Sequence, residues 1–115
     1  MLWGKSSTYK FRVPESDRAV YLTIVDSGDR TKVKSIFVNS SEMSSFQWVT
    51  ALMTSYSRQI RSGEKVESII QDMKESFDPN GGYTVPGKKD ALGNQLEVRS
   101  IVHHIGILLE EHIND

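Results

Sequence analysis

Tyr9-Lys10-Phe11-Arg12-Val13 alternates apolar and basic residues, and it is followed at once by Pro14. A period of two is that of a strand with one face buried and one in water. Proline ends such a run, because it offers no N–H and restricts the residue before it. After a polar stretch, residues 19–25 are rich in β-branched and aromatic side chains, which suit a pleated, half-buried surface. Ser27-Gly28-Asp29 supplies turn chemistry, and residues 33–38 read as a third strand. Connections this short favour antiparallel neighbours, so the three strands are expected to form a meander.

The period then changes. Ser44 or Ser45 is a candidate N-cap. Beyond it Phe46, Trp48, Val49, Leu52, Met53, Tyr56 and Ile60 recur at helical spacing, a broad face expected to be buried, with Gly63 as its stop. A second helix is expected over residues 64–76, with Val66, Ile69, Ile70, Met73 and Phe77 as its buried stripe. Asp78-Pro79-Asn80-Gly81-Gly82 halts it. Residues 79–93 read as a long irregular segment. The last helix has the clearest stripe, Val98, Ile101, Val102, Ile105, Leu108, Leu109 and Ile113, with Asn94 and Glu97 as a capping box. Gly106 interrupts that stripe, and a residue so poor for helices points to close packing against a neighbour. The expected fold is α+β: a three-stranded antiparallel meander followed by three helices packed on one face, in one domain over residues 1–115.

Composition narrows the function. A formal charge of −1 argues against a strongly basic nucleic-acid binder. The absence of cysteine removes disulfides, thiolate metal sites, a cysteine nucleophile and a thiol radical. No apolar run reaches the roughly 20 residues that span a bilayer. Met1 without an apolar leader leads us to expect a complete, cytoplasmic gene product.

Tyr9-Lys10-Phe11-Arg12, Val20-Tyr21-Leu22-Thr23-Ile24, Ile36-Phe37-Val38-Asn39-Ser40, Phe46-Gln47-Trp48-Val49-Thr50-Ala51-Leu52 and Phe77-Asp78-Pro79-Asn80-Gly81-Gly82-Tyr83 together resemble the TSCPD domain. This is the small C-terminal domain of some adenosylcobalamin-dependent ribonucleotide reductases, carried in one group by the smaller of two gene products. The resemblance runs from about Tyr9 to His112. It implies a free-standing accessory role in deoxyribonucleotide synthesis and no catalysis, because the family's radical chemistry belongs to a large barrel domain and needs cysteines. The Thr-Ser-Cys-Pro-Asp signature is missing, and Gly93-Asn94-Gln95-Leu96-Glu97 stands in its place. So is the cysteine-rich tail of many relatives, which puts metal binding and a disulfide relay out of reach.

The first candidate surface is Asp78, Asn80, Gly81, Gly82 and Tyr83 with Lys88 and Lys89. Backbone N–H groups in a glycine-rich turn can hold an anion, although the ending of a Walker loop is absent. The alternative is a helix stop with a mobile loop. Lys10, Arg12, Lys32 and Lys34 occupy alternate strand positions and could meet nucleic acid, or simply form a solvated face, since aromatic stacking partners are not evident there. Trp3 suits an interface, or alternatively folds back on the core. His104 is expected in the core or at an interface, and His103, His104 and His112 lack the spacing of a helical zinc pair. No Ser-His-Asp set stands out. No cofactor and no metal is expected. The expected partners are a reductase large chain or a second copy. A nucleotide and, less readily, nucleic acid are the alternatives.

Overall fold

A computed structural model describes residues 4–13, 19–28, 32–40, 47–77 and 82–114. Strands β1 (Gly4–Arg12), β2 (Ala19–Ser27) and β3 (Val33–Ser40) form an antiparallel sheet in the order β1-β2-β3. Register follows the alternation: Phe11 pairs with Val20 and Leu22 with Val38, which puts the apolar set on one face. Leu22, Ile24 and Ile36 are fully enclosed there.

Helix α1 (Gln47–Arg61) lies along β3. The Ser57 hydroxyl accepts from the Ile36 N–H at 3.0 Å and donates to the Ile36 carbonyl at 3.1 Å, so a side chain occupies the free edge of that strand. Gly63 follows the helix with φ +102°, as the stop expected there requires. Helix α2 (Val66–Lys74) comes next, joined to α1 by the Tyr56 hydroxyl donating to Asp72 at 3.2 Å. The candidate caps Ser44 and Ser45, with Phe46, lie outside the described residues.

The chain does not pass directly to its last helix. Residues 83–98 form a hairpin of β4 (Tyr83–Lys89) and β5 (Gln95–Val98), a separate two-stranded sheet where an irregular segment was expected. Pro86 and Gly87 sit in a break of register between Val85 and Lys89, which is where a strand tolerates a residue without an N–H. The Asp90 carboxylate closes the turn by accepting from the Leu92 and Asn94 amides at 2.9 and 3.0 Å. Asn94 thus belongs to a turn rather than a helix cap. Helix α3 (Ile101–Ile113) starts later, capped by Ser100, whose hydroxyl accepts from the His103 N–H at 3.0 Å.

All three helices and the inner sheet face share one core, and α3 crosses β1 and β2. Two apolar residues placed in that core by periodicity are outside it: Trp48 is 51% exposed and Phe77 70%. Each lies at the margin of its stripe, where spacing alone cannot tell core from rim.

Gly106 is buried against α2. A Cβ built there would stand 2.8 Å from the Met73 Cβ and 3.4 Å from the Lys74 backbone nitrogen. The close approach read from the sequence is therefore real. Gly106→Val is expected to lower the unfolding free energy by about 2 kcal/mol through overpacking, measured by urea denaturation with an unchanged slope.

Candidate functional site

Strand β1 is an edge of the larger sheet, and the hairpin stands across from it. Between them is an open cleft of about 640 Å³, inside the ordinary range of small-ligand sites. Phe11 lines it from β1 and Val13 from just beyond, Val85 and Pro86 from β4, and Leu108 from α3. Lys10, Arg12 and Lys88 stand around these apolar walls. Lys88 is paired with Glu111.

His104 closes the cleft from α3. It is 2% exposed and packs against Phe11 with ring centroids 4.6 Å apart. Its Nδ1 is 2.7 Å from the Tyr83 hydroxyl, so the pair bridges α3 and β4. Burial, and secondarily the charges of Lys88 and His103, push the imidazole pKa down to about 4. The folded ring is neutral at pH 7 and takes no part as a cation. His103 is also held below its usual range, by burial first and then by Arg99 and Lys74, while its Nδ1 accepts from the Arg99 amide at 2.9 Å.

A second group lies deeper. The His112 Nε2 is 2.9 and 3.0 Å from the two oxygens of Asp26, and its Nδ1 is 2.6 Å from the Tyr9 hydroxyl. The side chains of His112 and Asp26 are 0% and 3% exposed. An acid, an imidazole and a hydroxyl in line can orient a proton, as hydrolytic triads do. Here the imidazole is sealed, the hydroxyl is phenolic, and the line ties β1, β2 and α3 together. Among the described residues no group of His, Asp and Glu is arranged to hold a metal ion, and no buried side-chain nitrogen or oxygen lacks a partner.

The two surfaces separated in the sequence meet in part. Tyr83 and Lys88 from the glycine-rich region share the cleft with Lys10 and Arg12 from the basic strand positions. Lys89 pairs with Gln95 at the end of β4, outside the cleft lining. Lys32 and Lys34 are exposed at the far end of the sheet, beside the register break at Val25 and Asp26. Gly82 leads into β4, where a Cβ would meet the Val98 carbonyl at 3.3 Å. Trp3, Asp78, Asn80 and Gly81 lie outside the described residues. Sequence reasoning missed the partners of His104 and His112. Their one visible signal was a separation of two helical turns, which sets both rings on one side of α3.

A family model described as the TSCPD domain matches residues 4–113, nearly the whole chain. No curated protein and no solved structure matches it. No described helix is long and apolar enough to cross a membrane.

His104 sets a pH dependence. Its folded pKa lies below the ordinary 6.5, so the unfolded chain binds the proton first as pH falls. The stability owed to the neutral ring is whole above about pH 6.5 and is lost on the way down to about 4. Urea denaturation across that interval is expected to show a falling unfolding free energy for the native chain. His104→Phe, which keeps a ring against Phe11, is expected to give a flatter profile.

Proposed function

The chain belongs to the TSCPD domain family, and from that membership we propose that it is a non-catalytic accessory domain that docks on a ribonucleotide reductase chain. TSCPD domains are associated with ribonucleotide reductase. The present 115 residues hold no cysteine, so the thiol steps of that chemistry must come from outside them. The observation that carries the docking reading is the cleft between β1 and β4, with apolar walls and cations from both strands. Its form suits an apolar segment of a partner flanked by carboxylates, because apolar burial gives the affinity and the lysines give orientation. The histidines support this reading, since both His104 and His112 are enclosed and committed to internal partners.

A second reading has its own support. The cleft volume is that of a small-molecule site, and a nucleotide presents an apolar base and an anionic phosphate to the same two kinds of lining. In that reading the domain is a regulatory module for a nucleotide.

Titration calorimetry of the purified chain with the catalytic chain of an adenosylcobalamin-dependent reductase is expected to show a complex with Kd of about 1 μM or tighter. Val85→Arg, placed in the cleft wall, is expected to weaken it at least about tenfold, or about 1.4 kcal/mol. No heat at any concentration would overturn the docking reading. Amide shifts at Tyr83, Val85 and Lys88 on adding ADP, without a complex with the reductase, would establish the second reading instead.

A further inference from the structure

The outer face of the three-stranded sheet is covered by none of the described elements, and its composition is unusual for a solvated face. Tyr21 is 40% exposed and Phe37 54%. Both point away from the core, as the alternation with the enclosed Val20, Leu22, Ile36 and Val38 requires. Tyr21 pairs with Asn39, and Phe37 pairs with Thr23. The two aromatics are therefore diagonal neighbours on adjacent strands, about 7–8 Å apart. Lys10 stands opposite Tyr21 on the other side, and Arg12 is two residues farther along the same strand face.

Charge decides what such a face can meet. Among the residues of β1, β2 and β3 the single carboxylate is Asp26, and it is turned inward onto His112. The outer face thus carries cations and aromatic rings with no acid among the strand residues. A second copy laid face to face would bring these cations together with no outward carboxylate among the described strand residues to receive them. A double helix keeps its bases stacked and offers their edges, not their faces, to the two rings. A single strand offers both complements at once, unstacked bases for the rings and phosphates for the cations, which is how open antiparallel sheets bind it. We propose that the outer sheet face binds single-stranded nucleic acid, with Tyr21 and Phe37 stacking on two bases and Lys10 meeting a phosphate. The aromatic partners were not evident in the sequence, because only the register shows that two residues 16 positions apart share one patch.

Lys10 borders the cleft as well, but Tyr21 and Phe37 do not line it, so the Tyr21→Ala and Phe37→Ala variants separate this inference from the docking reading. The test is fluorescence anisotropy of labelled oligouridylate and oligothymidylate of roughly 12 nucleotides, from about 50 to about 200 mM salt. The native chain is expected to bind. Tyr21→Ala and Phe37→Ala, both at exposed positions, are each expected to weaken binding roughly tenfold with an unchanged circular dichroism spectrum. Lys10→Ala is expected to reduce the slope of log affinity against log salt by roughly 0.7. Tighter binding of oligouridylate would mean that the 2′-hydroxyl is read, and equal binding that it is not. Either supports the proposal. Absence of binding at the lowest salt, alanine variants that bind like the native chain, or equal affinity for a duplex would overturn it. So would self-association by light scattering that Phe37→Ala abolishes while no oligonucleotide binds.

Discussion

The buried contact between Asp26 and His112 is the constraint around which the rest of the molecule is arranged. A carboxylate 3% exposed is costly unless a partner receives it. Here the partner comes from the last turn of α3, and the same ring reaches the Tyr9 hydroxyl. One imidazole therefore fixes how α3 lies over β1 and β2. That placement brings His104, two turns earlier, under Phe11 and within reach of Tyr83. The floor of the cleft is thus a consequence of a contact at the other end of the helix. The sheet's outer surface follows as well, since its one strand carboxylate is spent on the inside.

The two edges of the larger sheet are treated differently. The Ile36 backbone on β3 is satisfied by the Ser57 hydroxyl, and Arg61 reaches the Ser35 hydroxyl at 2.9 Å. On that side the helix leaves little for another chain to pair with. The β1 edge borders the cleft instead. The two edges thus differ in cover, with α1 against β3 and an open cleft beside β1.

Much of this was legible in the sequence, for physical reasons that can be named. The strands and α3 were clear because alternation and a helical stripe are local consequences of burying one face. Gly106 was legible because a glycine in a long apolar stripe costs helix stability unless a neighbour needs the space. The hairpin was hidden because Pro86, Gly87 and two lysines break the alternation of β4, and its register break absorbs them. Asn94 and Ser100 both carry cap chemistry, and only the backbone decides between them. Trp48 and Phe77 were placed inside because period marks a stripe but not its margin. As for the site, Lys10, Arg12, Tyr83 and Lys88 were each singled out, yet on two separate surfaces. Their meeting is tertiary, as is the link of His112 to partners 86 and 103 residues away.

The way α2 is joined to α3 has a further meaning. The Ser100 hydroxyl donates to the Ser76 carbonyl at 3.1 Å, and the Arg99 guanidinium donates to the Lys74 carbonyl. The end of one helix and the start of the next are thus stitched together independently of the chain between them. The hairpin is an excursion that leaves from and returns to the same place, so changing its length alters the entropy cost of folding only slightly. The wall of the cleft is therefore a cassette. Its length and chemistry can change without disturbing the core on which it is mounted.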